Sequence, residues 1–425
     1  MTHPELAMEL VAKLEVLIAE PIDAGATPAG HRRVIPITGG TFTGPRVTGE
    51  VLGVGADWSV VRGDGVAVVT AQYLIRTDDG VVLTVTNTGA FTRQGIVTSP
   101  RIEAPEGPYS WLNDAVLPPD PHEVRSPVSI LSKPFVADTV ARLMAAGAAR
   151  VQKPRPLFPE IPGRTGELAI PTRHGPMPAT RYRPPGKAKG VYLNAHGGGF
   201  VVGGAIADDP LCRYLAEHAE VLVVNVDYAL APHKRFPAPC EQVYDALRWA
   251  ASPDREWAGA RLCVGGQSAG GSLAAAASRL ALRDGGPEIA LQVLHYPPLD
   301  LVTPAADKPA RDDRVVIRPW MGEVFNTAYI PDVARRTDPL ASPAWGTNAD
   351  DLSGIAPALV ITCEHDRLRA EAVTYAGKLE KAGALVEHYD IRGVDHGYDL
   401  LDGEPEVVRG VYEFLARHVE RAVTA

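Results

Sequence analysis

Ser268 stands in Gly266-Gln267-Ser268-Ala269-Gly270, a G-x-S-x-G pattern. Glycines two positions either side let a serine sit on a sharp strand-to-helix turn, where side chains would collide. The apolar run Arg261 to Val264 comes just before, and an alanine-rich stretch, Ala269 to Leu282, follows. That order places the hydroxyl at a strand end and at a helix N-terminus, whose dipole favours developing negative charge. The competing reading is a glycine-rich turn with no chemistry, and the strand and helix around it weigh against that.

His196-Gly197-Gly198-Gly199-Phe200 follows a second apolar run, Val191 to Asn194. Consecutive glycines let backbone N–H groups converge on one oxygen, so Gly198, Gly199 and Ala269 are the expected oxyanion-hole donors. The alternative is a flexible glycine loop without a ligand.

A serine hydroxyl is a poor nucleophile without a base, and the base needs an orienting carboxylate. In a nucleophile elbow the acid and then the histidine follow the serine along the chain. Of the 12 histidines, His365, His388, His396 and His418 lie far enough downstream. His388 falls in a strand-like run and His418 in a terminal helix, while His365 adjoins the acid candidate and could not easily face it. His396, in the loop Gly393-Val394-Asp395-His396-Gly397, is the expected base. Asp366, just past the apolar run Ala358 to Thr362, is the expected acid, with Glu364 and Asp395 as rivals. A surface histidine and a solvated carboxylate are the bland alternatives.

The elements that must position these groups change character along the chain. To about residue 125, short runs separated by turns read as antiparallel β structure, a small barrel or sandwich. Leu14 to Ala19, Arg33 to Thr38, Gly65 to Ile75 and Val81 to Asn87 are the candidate strands; Thr77-Asp78-Asp79-Gly80 and Gly63-Asp64-Gly65 are the candidate turns. From about Pro127, Val136 to Val151 has helical spacing and a proline-rich stretch follows. Strand-like and helix-length segments then alternate, which implies a parallel sheet covered on both faces.

With 45% hydrophobic and 22% charged residues in 425, the chain is of globular composition and long enough for two domains. A formal net charge of −9 argues against non-specific nucleic-acid binding. No apolar run reaches the ~18 residues a membrane span needs, and the N-terminus has no signal-peptide pattern. Cys212, Cys240, Cys263 and Cys363 show no zinc or CxxC spacing and read as packing residues in a reducing, cytoplasmic compartment. No motif calls for a metal or a nucleotide, so no cofactor is expected.

From ~160 to 425 the chain resembles the hormone-sensitive-lipase family of bacterial (family IV) esterases, within the α/β-hydrolase superfamily. The resemblance rests on His196-Gly197-Gly198-Gly199, Asp227-Tyr228-Ala229-Leu230-Ala231-Pro232, the elbow with Gly271, Tyr296-Pro297, Asp338-Pro339-Leu340, His365-Asp366-Arg367-Leu368 and His396-Gly397. It implies an α/β-hydrolase fold over 126–425, with a mostly parallel eight-stranded sheet and a helical cap near 130–165 and 303–335. It also implies hydrolysis of short-acyl carboxylic esters. Gln267 stands where the family usually has Asp or Thr, and Tyr398 where it usually has Phe, which bears on the acyl pocket. Residues ~11 to 122 resemble a family of small bacterial β-barrels of unknown function, through Gly39-Gly40-Thr41-Phe42-Thr43-Gly44-Pro45, Gly55-Ala56-Asp57-Trp58 and Tyr109-Ser110-Trp111-Leu112-Asn113. The expected organisation is therefore a β-barrel module over 1–125 and a hydrolase over 126–425. Asp57 and Trp58 are expected in turn and core roles, with a pocket lining as the alternative.

The expected activity is cleavage of a small ester by Ser268, His396 and Asp366 through an acyl-enzyme. An amide, lactone, thioester or carbamate would suit the same residues, and a non-catalytic receptor on this scaffold would typically lack His396. The barrel could narrow the entrance for one metabolite, or serve as a docking or homodimerisation module.

Overall fold

The computed structural model describes residues 10–62, 66–92, 95–115, 131–151, 155–311 and 315–425. It falls into two compact units, residues 1–130 and 131–425.

The first unit is an antiparallel sheet of seven strands: β1 (Lys13–Ile18), β2 (Ile22–Thr27), β3 (Gly30–Thr43), β4 (Thr48–Val61), β5 (Ala67–Thr77), β6 (Val82–Thr92) and β7 (Gly95–Glu103). They pair in the order β1-β3-β4-β5-β6-β7, with β2 on β3. Register shifts between Pro36 and Gly40 and between Val51 and Gly55 bend the two longest strands. The β5–β6 turn is the expected one: Gly80, at φ +89°, donates its N–H to the Thr77 carbonyl at 2.8 Å. Phe42, Val51, Tyr73, Ile75, Leu83, Val85 and Ile102 form this unit's own core. The Gly63-Asp64-Gly65 turn lies outside the described residues. Asp57 and Trp58 depart from expectation. Both sit inside β4 rather than in a turn, and Trp58 is 50% exposed, so it is not core. Consecutive strand residues face opposite sides, so both could not enter one core.

The second unit holds an eight-stranded sheet among the described residues, ordered β15-β14-β13-β12-β10-β11-β9-β8. Its strands are β8 (Thr165–Thr172), β9 (Gly175–Tyr182), β10 (Gly190–Ala195), β11 (Leu222–Val226), β12 (Arg261–Gln267), β13 (Leu291–His295), β14 (Ala358–Cys363) and β15 (Leu385–Ile391). β8–β9 and β9–β11 are antiparallel and the other ladders parallel. Every residue of β10, β11, β13 and β14 is buried, as a parallel sheet covered on both faces requires.

Side-chain alternation divides the core. Val191, Leu193 and Ala195 pack with α3 (Ala238–Ala250), α4 (Ala269–Asp284) and α6 (Arg369–Lys381) on one face. Tyr192, Cys263 and Ile361 pack with α2 (Asp209–His218) and α7 (Pro405–Thr424) on the other. The four cysteines are free and buried. Two segments far apart in sequence, α1 (Pro134–Val151) and α5 (Pro319–Tyr329), pack on each other, and Asp138 of α1 takes the Arg235 guanidinium at 2.6 Å. No helix of the described residues is long and apolar enough to cross a membrane.

Candidate active site

β12 runs up to Gln267, and α4 starts at Ala269, so the reversal happens at Ser268 alone. Its backbone adopts φ 51°, ψ −121°, a strained conformation for a residue with a Cβ. The surrounding glycines make room: a Cβ on Gly266 would lie 2.2 Å, and one on Gly270 1.8 Å, from the Ala195 carbonyl oxygen. The Ser268 N–H donates to the His295 carbonyl at 2.8 Å, fixing the turn on β13.

The Ser268 hydroxyl lies 2.8 Å from His396 Nε2, and His396 Nδ1 lies 2.8 Å from Asp366 Oδ2. All three side chains are buried. The other Asp366 oxygen accepts the Leu368 N–H at 2.9 Å, so the carboxylate is held at both ends. Burial opposes protonation of the imidazole, but Asp366, with Asp395 and Asp399 farther off, outweighs it and holds the His396 pKa above its ordinary 6.5.

The rivals are occupied elsewhere. Glu364 accepts the Gly393 N–H at 2.8 Å and the Arg392 guanidinium at 3.1 Å. Asp395 accepts the Val316 N–H at 2.7 Å. His365 meets Arg311 at 3.0 Å, His388 meets Thr362 at 2.9 Å and His418 meets Glu387 at 3.1 Å.

Gly198 (φ +123°) and Gly199 (φ +59°) turn the chain beside the serine. The N–H groups of Gly198, Gly199 and Ala269 find no acceptor among the described residues. The loop is tied from behind: the Tyr228 hydroxyl donates to the His196 carbonyl at 2.9 Å, and the two rings stack at 4.3 Å.

A cavity of about 190 Å³ opens on these groups. Ser268, His396, Gly198 and Gly199 line it together with the apolar Leu301, Met321, Phe325, Leu400 and Leu401. One wall also carries Lys308, whose ammonium pairs with Glu371 at 2.5 Å and donates to the Asp300 carbonyl at 2.6 Å. Neither departure noted in the sequence lines this cavity. Gln267 is fully buried, its amide without a partner among the described residues. Tyr398 is buried behind the site, its hydroxyl 3.2 Å from His295 Nε2.

Sequence reasoning missed the residues that brace the site. Arg367 donates to the carbonyls of Ile317, Ala305 and Lys308, tying the segment before α5 to the acid loop. Arg155 donates to the carbonyls of Tyr398 and Gly403, at 3.2 and 2.9 Å, and clamps the histidine loop. Their partners are backbone oxygens of remote segments, which no motif spacing reveals. Among the described residues no group of three or more His, Cys, Asp and Glu side chains could hold a metal ion.

Residues 192–400 match a family model described as the alpha/beta hydrolase fold, and residues 6–95 match a protein family of unknown function, DUF3237. The chain is 34% identical over 278 residues to the carboxylesterase NlhH of Mycobacterium tuberculosis, spanning 62% of this chain and 84% of that protein. It is 35% identical over 270 residues to the ethyl acetate hydrolase of Pseudomonas putida, spanning 61% of this chain and 84% of that one. Among solved structures, an esterase of Pyrobaculum calidifontis superposes with a TM-score of 0.58 at 31% identity, covering 68% of this chain and 94% of the esterase.

Proposed function

The chain belongs to the hormone-sensitive-lipase family of α/β-hydrolases and is a carboxylesterase, and from that premise we propose that Ser268, His396 and Asp366 are its catalytic triad and that its substrates carry short acyl groups. His396 takes the proton as the Ser268 oxygen attacks the ester carbonyl, and Asp366 keeps the imidazole in the right tautomer and stabilises the imidazolium. Gly198, Gly199 and Ala269 donate to the oxyanion. Collapse of the tetrahedral intermediate expels the alcohol with the proton from His396, and water, activated by the same imidazole, releases the acid. The unbroken row from the Ser268 hydroxyl through His396 to Asp366, 2.8 Å at each step, carries this reading.

The short-acyl preference rests on the cavity. At about 190 Å³ it is smaller than the ~300–1,000 Å³ usual for drug-sized ligands. Its apolar walls suit a neutral ester, so the ligand is a small molecule. Cytoplasmic residence is part of the same reading, supported by four thiols that are buried and free. The N-terminal β module, to about residue 125, is proposed as a docking or homodimerisation unit, tested by the solution mass of the chain with and without it.

Ser268→Ala tests the triad. Turnover of p-nitrophenyl acetate should fall by about 10⁴–10⁶-fold, and a fluorophosphonate probe should no longer label the protein. Undiminished turnover sinks the assignment.

A further inference from the structure

A second buried carboxylate, three residues past His396 in the chain, has no part in the proposed reaction. Asp399 is 1% exposed. Its Oδ1 accepts the Tyr296 hydroxyl at 2.5 Å and its Oδ2 the Tyr412 hydroxyl at 3.2 Å. Among the described residues no Lys or Arg side chain pairs with this carboxylate; Arg155 reaches only the Asp399 backbone carbonyl, at 3.3 Å. A buried anion held by neutral phenols alone is costly, and a hydrophobic residue would pack there at less expense.

Tyr296 connects that anion to the reacting groups. It follows β13, lines the cavity and keeps a φ of +40°, unusual for a residue with a bulky side chain. Its ring meets the His396 ring edge-on, with centroids 4.8 Å apart and planes at 62°. The ring cannot swing away without giving up the bond to Asp399. One carboxylate therefore orients the imidazole through Nδ1, and the other fixes the ring that packs against it.

We propose that Asp399 is a positioning residue for His396: its carboxylate anchors the Tyr296 phenol so that the ring braces the imidazole, and its charge supports the imidazolium formed when Ser268 loses its proton. This rests on the triad reading above.

The groups around His396 leave Asp399 a distinct share. Asp366 and Ser268 bond the imidazole directly. Asp395 sits on the same loop, with Val316 on one oxygen. His295, at the end of β13, is held neutral, burial pushing its pKa down to about 4. Tyr398 lies behind it, Tyr412 reaches in from α7, and the Lys308–Glu371 pair on the cavity wall is internally compensated.

The test is the pH profile of kcat/KM for p-nitrophenyl acetate on the full chain. Asp399→Asn should lower kcat about tenfold and move the acid limb to lower pH by roughly half a unit or more, because a lost anion destabilises the imidazolium. Tyr296→Phe keeps the charge and the ring but loses the anchor, so it should lower kcat with the limb in place. Tyr412→Phe loses the other phenol, which makes no hydrogen bond or ring contact with His396, and should lower kcat clearly less than Tyr296→Phe does. Asp399→Asn with wild-type kcat and limb overturns the proposal. So does a loss in Tyr412→Phe equal to that in Tyr296→Phe, which would mark the network as structural and decides the matter if Asp399→Asn does not fold. Fluorophosphonate labelling separates the two readings. Labelling that survives Ser268→Ala sinks the triad; labelling that needs Ser268, with Asp399→Asn unaltered, sinks only the role of Asp399.

Discussion

The ring of Phe325 fills the space that a side chain on Gly199 would need: a Cβ there would lie 2.3 Å from the ring. Phe325 belongs to α5 and Gly199 to the loop after β10, so the apolar wall packs against one of the proposed amide donors. The φ of +59° at Gly199 adds to that constraint.

Gly199→Ala should therefore displace both the loop and the ring. With its N–H moved off the oxyanion position, kcat should fall by about 10²–10³-fold, while KM changes less, because the donor acts mainly on charge that appears in the transition state. Steady-state kinetics on p-nitrophenyl acetate give both constants. A variant with wild-type kcat would remove Gly199 from the donor set.

With His396 as the proposed base, its raised pKa should set the acid side of the activity profile. The imidazole must be neutral to accept the Ser268 proton, so kcat/KM is lost as pH falls through that pKa. Because the surrounding carboxylates hold it above 6.5, the decline should begin at a higher pH than for an ordinary histidine. His295 does not add to it, since burial keeps it neutral down to about pH 4. A kcat/KM profile between pH 4 and 9 checks this, and an acid limb centred below 6.5 would contradict it.

Much of this site could be read from residue order, because a nucleophile elbow demands local features. Glycines at 266 and 270 are forced because a Cβ there would lie 2.2 and 1.8 Å from the Ala195 carbonyl oxygen, and such demands mark the sequence. The buried parallel strands were equally legible, since burial on both faces leaves continuous apolar runs. β8 and β9 were not, because Pro171, Pro176 and Pro178 break the strand signal and their burial alternates. α6 escaped as well, with Thr374, Glu380 and Lys381 exposing a polar face beside the buried Ala372, Tyr375 and Leu379. Asp399 carried no signal at all. Its meaning comes from Tyr296 and Tyr412, which approach it only in the folded chain.

Phe325 and Met321 should limit acyl length. Wild-type kcat/KM should fall from p-nitrophenyl butyrate to the decanoate, since these side chains line a cavity of only about 190 Å³. Phe325→Ala should raise the decanoate value relative to butyrate by about tenfold, in the range one or two apolar contacts supply. Equal ratios in both proteins would place the acyl chain elsewhere.

The Lys308–Glu371 pair is a wall component whose worth depends on both members. Each is no more than 8% exposed. Lys308 is held by Glu371 and the Asp300 carbonyl, while the other Glu371 oxygen accepts the Leu299 N–H at 2.7 Å. Burial raises the Glu371 carboxyl pKa despite the ammonium beside it, which shows how strongly desolvation weighs here. Removing one partner strands the other charge, so Lys308→Met and Glu371→Gln should each destabilise by about 3–5 kcal/mol. The double variant leaves no stranded charge and should cost less than the sum of the singles, a coupling that urea unfolding of all four proteins measures. Additive losses would mean that the two charges are solvated independently, and that the wall is wetter than its burial indicates.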